Sequence, residues 1–168
     1  MARLSPPSLR VRLVAMIYEA TLLFGVVFIA GWLFSTLLQQ RNALDHRAAL
    51  QVWLFLVLAL YFVWFWSHGG QTLPMKTWRI CLLTSDGQTV RPLRAAIRYV
   101  LAWGWFVPGL ALALIIGAKG WMLVLFPVLN ILIWAFAVFL DPQRQFIHDR
   151  LAGTRLERLD RLDLITNR

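Results

Sequence analysis

Apolar residues fall in four long blocks separated by short polar stretches, at residues 13–38, 50–66, 95–116 and 121–140. A helix needs roughly 20 apolar residues to cross a hydrocarbon layer about 30 Å thick, so each block predicts a membrane span. The second lies near the lower length limit and has to lean on its flanks or on local thinning of the bilayer. Glu19 is the only charge in the first block, Arg98 enters the third near its start, and the second and fourth carry none. Block one follows three arginines, as a signal peptide would. It is nevertheless longer than the roughly 7–15 residues of a cleaved apolar segment, and no clean small-residue cleavage site follows, so it is expected to remain as a span. The linker 117–120 is short enough to force blocks three and four into a tight antiparallel hairpin.

The polar stretches carry patterns of their own. Residues 78–90 place β-branched and apolar residues on either side of Asp86-Gly87, a dipeptide that favours a two-residue turn, and so predict a short β-hairpin in the central loop. Arg91, Arg94 and Arg98 then recur on one face of a helix entering the third span, a stripe suited to anionic phospholipid head groups. In the tail, Leu151, Leu156, Leu159 and Leu162 alternate with charges over 151–165, which predicts a short amphipathic helix with Glu157 and Arg161 as an i,i+4 pair. The fold class expected is all-α: one membrane domain over residues 1–168 with four spans, the central loop, and a tail from 141 to 168.

Composition agrees with that picture. Hydrophobic residues make up 60% and charged residues 15% of the chain, against about 45–50% and 25% in ordinary soluble domains, which excludes a disordered chain. The net charge of +9 would suit nucleic acid in a soluble protein. Here its distribution points to a membrane instead, and no nucleic-acid partner is expected. Fourteen of the 17 basic residues fall in the N-terminal segment, the central loop counted with Arg98, and the tail. The other three are Arg41, Arg47 and Lys119. The bias predicts that both termini and the central loop are cytoplasmic, in a bacterial inner membrane. Trp53, Trp64, Trp66 and Trp121, near block ends, are expected at the membrane interface, and Trp103, Trp105 and Trp134 in packing. The single Cys81 excludes an internal disulfide and a thiolate metal site.

A carboxylate within a span costs a few kcal/mol on insertion scales, so Glu19 must be paired, protonated or turned to a polar cavity. Arg12 precedes it by almost two helical turns, on the same face and about 10 Å away, a gap that a third group could bridge. Asn130 is the other buried polar candidate, suited to an interhelical hydrogen bond. Pro108 and Pro127 fall within spans, where proline either kinks a helix or frees carbonyls that broken-helix transporters use for ions. No phosphate-binding loop, metal-ligand cluster or nucleophile–base pair is present, so no enzyme activity, metal or cofactor is expected.

Three segments in order resemble the RDD family of small bacterial membrane proteins. Arg12-Leu-Val-Ala-Met-Ile-Tyr-Glu19 is similar to its opening, an arginine followed by an acidic residue within the first span. Gly69-Gly-Gln-Thr-Leu-Pro-Met-Lys-Thr-Trp-Arg-Ile80, with Asp86-Gly87, resembles its central segment, and Arg98 falls where an arginine commonly enters the next span. Arg144-Gln-Phe-Ile-His-Asp149-Arg-Leu-Ala-Gly-Thr154 resembles its C-terminal signature, with Asp149 as the final aspartate. Two positions depart: Glu19 stands where the family usually has aspartate, and Pro74 where it commonly has glycine. The resemblance implies a multi-pass membrane protein, with transport, and cation/proton antiport in some members, as the implied activity.

The functional expectation is transport of a small solute or cation linked to protons through Glu19. Four spans make a thin bundle, so a pathway calls for a homo-oligomer. The alternative is a non-transporting scaffold or partner subunit, acting through loop and tail on a protein the sequence does not name. The charged residues expected to matter are Arg12, Glu19 and Asp149, supported by Arg98, His148 and Asn130. Arg12 and Asp149 are expected to clasp beneath the helices, because the connection from span four is long enough to fold back across a bundle. His148 beside them would make the clasp sensitive to pH near about 6.5.

Overall fold

The computed structural model describes residues 6–39, 46–141 and 145–159. It is mostly helical. Helix α1 covers Leu9–Leu37, with the Ser8 side chain accepting from the Val11 amide at its start, and α2 covers Arg47–Ser67. The short α3, Leu73–Thr77, follows with Thr72 as its N-cap. After strand β1, Ile80–Thr84, helix α4 covers Pro92–Ala102 and passes through a 3-10 turn, Trp103–Trp105, into α5, Val107–Ile115. Helix α6, Met122–Phe136, continues through a second 3-10 turn, Ala137–Phe139. The short α7, Ile147–Leu151, and strand β2, Thr154–Arg158, complete the described chain. Three helices, Leu9–Leu37, Arg47–Ser67 and Met122–Phe139, are long and apolar enough to cross a membrane, and a bent pair makes up to four.

The bent pair corrects the expectation of a continuous third span. Pro92–Trp105 and Val107–Ile115 meet at 43°, and Pro108 supplies the reason. It has no N–H to donate back to the Gly104 carbonyl, and its ring crowds the preceding turn. Asn130 of α6 replaces the missing donor: its Nδ2 lies 2.9 Å from the Gly104 carbonyl and 2.7 Å from that of Trp105. Both glycines flanking the break are required by contact. A Cβ on Gly104 would lie 2.5 Å from the Trp134 ring, and one on Gly109 would lie 2.7 Å from the Phe126 carbonyl. The expected roles of Asn130 and Pro108 thus meet in one structural device. Pro127, by contrast, sits within an uninterrupted α6.

Strands β1 and β2 form a small sheet, and its pairing differs from the expected hairpin. The Asp86-Gly87 turn forms, with the Gly87 amide donating to the Thr84 carbonyl at 2.9 Å and φ of +78° at the glycine. No strand follows the turn. Strand β1 pairs antiparallel with β2, with Ile80 opposite Arg158, Leu82 opposite Leu156 and Thr84 opposite Thr154. The tail is therefore a strand through Arg158 where an amphipathic helix was expected; Arg161 and Leu162 lie outside the described residues. Glu157 takes Arg155 as its ion-pair partner, at 2.6 Å. The other edge of β1 is held by the segment before α3. The Leu82 amide donates to the Gly70 carbonyl at 2.7 Å, and Gln71 Nε2 donates to the Ile80 carbonyl at 2.7 Å. Gly70 has φ of +69°, and a Cβ there would meet the Leu82 carbonyl at 2.5 Å, so glycine is needed on both counts.

The main core lies where helix ends meet this sheet, and contains Trp66, Met75, Ile80, Leu82, Val90, Ala95, Tyr99 and Leu156. Trp66, expected at the interface, is buried there. Most of the remaining helical surface is exposed and apolar, as at Phe24, Phe28, Trp32, Leu60, Ile115 and Ile133, which suits helices bathed in lipid.

Candidate functional site

Arg98, His148 and Asp149 gather where α4 meets α7, with Arg12 of α1 beside Phe146 at the start of α7. Asp149 is fully buried, and its Oδ1 accepts from Arg98 Nε at 2.7 Å. The Arg98 guanidinium also stacks over the Trp66 ring, 4.0 Å from its centroid, which partly replaces the water it has lost. Arg98 thus leaves the stripe expected for it: Arg91 and Arg94 remain exposed, while Arg98 turns inward. It also takes the place expected for Arg12, since Arg12 and Asp149 form neither a hydrogen bond nor an ion pair.

Arg12 is 2% exposed, and its Nε donates to the Pro7 carbonyl at 3.0 Å. The guanidinium lies 5.4 Å from the centroid of the Phe146 ring. Nη1 and Nη2 are buried without a hydrogen-bond partner among the described residues, as is Asp149 Oδ2.

His148 neighbours the ion pair in a defined state. The indole N–H groups of Trp105 and Trp134 both approach its Nδ1, at 3.3 Å each. An indole nitrogen only donates, so Nδ1 carries no proton and the ring's proton is on Nε2, which lies 3.4 Å from Asp149 Oδ1. Burial pushes the imidazole down to about 4, outweighing the pull of Asp149. The neutral ring corrects the expectation of a switch near pH 6.5, and the two tryptophans, expected only in packing, are what hold it.

Glu19 occupies a separate position on the same cavity. Tyr61 donates to its Oε1 at 2.7 Å, and the Thr72 hydroxyl donates to Oε2. Among the described residues no cation is paired with it. Neither hydroxyl was expected as its partner. Tyr61 was visible as a polar group in an otherwise apolar span, whereas nothing in the linear pattern joins Thr72 to a residue 53 positions earlier.

A cavity of about 330 Å³ connects these groups. Arg12, Glu19, Arg98 and His148 lie on its wall, and Ala15, Leu23, Leu58, Phe62, Trp103 and Phe106 supply most of the rest. That volume is at the low end of small-molecule sites, roughly 300–1,000 Å³, and the few polar groups on an apolar wall follow their usual pattern. Cys81 is apart from it, buried against the Gly69–Gly70 turn, and burial raises its thiol to about 11, which leaves it a poor nucleophile. Among the described residues no group of three or more His, Cys, Asp or Glu side chains is placed to hold a metal ion.

Comparison with known proteins adds the family. The RDD family profile matches residues 6–153, so the match takes in α1, the glycine turn on β1, Arg98 and the buried Asp149. Neither the curated proteins nor the solved structures offer a match. With the profile covering most of its length and apolar helices suited to a bilayer, the chain belongs to the RDD family of membrane proteins.

Proposed function

We propose that the protein carries a small solute or cation across the bacterial inner membrane in a process linked to protons, and that Glu19 is the group that takes up and releases the proton. The observation that supports this most is the setting of that carboxylate: inside a span, on a cavity wall, and held by the hydroxyls of Tyr61 and Thr72, with no cation paired to it among the described residues. A proton can leave or join such a group without breaking an ion pair, unlike Asp149, whose charge is committed to Arg98. In this reading four spans cross the membrane and the sheet end faces the cytoplasm, where most of the basic residues lie. A homo-oligomer completes the pathway. The scaffold alternative has less support, because the loop and tail it would use pair with each other as β1 and β2.

Reconstitution into liposomes carrying a pH-sensitive dye tests the reading. Glu19→Gln is expected to abolish pH-linked flux while the protein remains in the membrane. Undiminished flux in that variant would end the proposal, and loss of the protein would favour a structural role for Glu19. Orientation has its own check. In a Cys81→Ala background, a cysteine placed between Arg41 and Arg47 is expected to react with an impermeant thiol reagent added outside, and one at Ser85 to stay protected.

A further inference from the structure

One face of α1 lines the cavity for most of its depth. Arg12, Ala15, Met16, Glu19, Ala20 and Leu23 all lie on the wall and follow the spacing of a single helical stripe. At 1.5 Å per residue this stripe is about 16 Å long. Its two ends differ in chemistry. At one end the Arg12 guanidinium, 2% exposed, has two buried terminal nitrogens with no partner among the described residues. At the other the wall is hydrocarbon and aromatic, formed by Leu23, Leu58 and Phe106. Between them stands Glu19, but both of its oxygens are engaged by hydroxyl donors, so this stretch presents no bare charge.

The cavity also has a side opening. Met16, Ala20 and Phe106 line it and are exposed on the outer surface. The main packing partners of α1 are α2 and α3, which leaves its flank toward Phe106 uncovered. That flank belongs to the exposed apolar surface of the helices, which suits contact with acyl chains.

A buried guanidinium with four free N–H bonds calls for an oxyanion, since arginine has donors only and its planar fork matches carboxylate and phosphate oxygens in pairs. Of the nearby carboxylates, Glu19 is held by Tyr61 and Thr72, Asp141 is paired with Arg150, and Asp149 gives one oxygen to Arg98. The second, Oδ2, attracts Arg12 by charge without touching it. An apolar cavity that starts at a cation unpaired among the described residues and is open along an apolar flank has the form of an amphiphile. From this arrangement we infer that the cavity takes a single-chain anionic amphiphile from the bilayer. Its carboxylate or phosphate head sits on Arg12, and its chain runs along Ala15, Ala20 and Leu23 past Phe106. This deepens the transport reading by naming the class of its solute, although binding itself requires no transport.

The test uses the full chain in phosphatidylcholine nanodiscs, with empty nanodiscs as control, titrated with dodecanoate, dodecyl phosphate, dodecanol, inorganic phosphate and acetate. Saturable binding of one dodecanoate or dodecyl phosphate per protein is expected, weakened about tenfold or more in Arg12→Gln, because the charged hydrogen bonds to the head are lost. Ala20→Trp, placed at the lipid-facing mouth, is expected to block binding while leaving Arg12 in place, and it carries the test if Arg12→Gln does not fold. Dodecanol binding as tightly as dodecanoate, or full binding by both variants, would overturn the inference. Inorganic phosphate or acetate binding as well as their dodecyl counterparts would also overturn it, by showing a site for free anions. Measuring pH-linked flux on the same wild-type protein separates the two proposals. Flux without amphiphile binding removes this inference and leaves transport standing, whereas binding without flux does the reverse.

Discussion

Arg98 and Arg12 are two buried guanidiniums on the wall of one cavity, and they meet different fates. Arg98 has Asp149 at 2.7 Å and the Trp66 ring at 4.0 Å. Arg12 has one main-chain carbonyl, a ring at 5.4 Å and two unpartnered nitrogens. A desolvated charge repaid by a close counter-ion locks its surroundings, and one not repaid in this way remains available to bind. The same residue type, at similar depth, therefore acts as a structural tie in one region and as a receptive group in the other. The ties also extend past Arg98, because Asp149 lies in α7 beside His148, and the two indoles on His148 belong to the bent span and to α6.

The contrast can be broken most severely at Asp149. Asp149→Asn removes the counter-ion and strands Arg98, with an expected loss of about 3–5 kcal/mol, read as a lowered unfolding midpoint in detergent. A loss under about 1 kcal/mol would mean that the pair is solvated and the distinction false. The next effect is a pH dependence. His148 titrates near 4 in the fold against about 6.5 unfolded, so between these values the unfolded chain binds the extra proton. The stability it contributes is complete above about 6.5 and falls as the pH is lowered toward 4, by up to about 1.4 kcal/mol per pH unit. His148→Gln is expected to flatten that part of the profile; an unchanged slope would assign it to other groups. The smallest effect sharpens the comparison. Arg12→Gln gives up a weak ring contact and one hydrogen bond but also removes a desolvated charge, so a change of about 1 kcal/mol or less is expected. A loss as large as that of Asp149→Asn would place Arg12 among the ties.

The two regions also differ in how far the sequence displayed them. Apolar blocks are local patterns, and the helices Leu9–Leu37, Arg47–Ser67 and Met122–Phe139 follow them closely. The break in the third block was partly visible in Pro108, but its repair by Asn130 depends on how α5 lies against α6. The partner of Asp149 was not visible. Arg12 and Arg98 both enter spans near the sheet end, and only the packing of α4 against α7 selects the second. Pairing of β1 with β2 is equally non-local. Asp86-Gly87 gave a correct turn and a wrong partner, and Thr-Arg-Leu-Glu-Arg at 154–158 carried a period-two alternation that the leucine spacing of the longer tail obscured. Motif resemblance reached further than periodicity here. It marked Arg12, Glu19, Arg98 and Asp149 together, and all but Asp149 line one cavity while Asp149 ties down its floor.

The ion pair between Arg98 and Asp149 also sets an order of events during synthesis. These residues are 51 positions apart, which at about 5–20 residues per second is an interval of roughly 3–10 s. Through that interval Arg98 enters its helix before its counter-ion exists, and β1 emerges before the strand that covers its edge. Helix α7 and strand β2, translated later, therefore act as a latch, neutralising the arginine and closing the strand edge in one movement. A nascent chain halted between residues 98 and 149 would present an exposed edge and an uncompensated charge together.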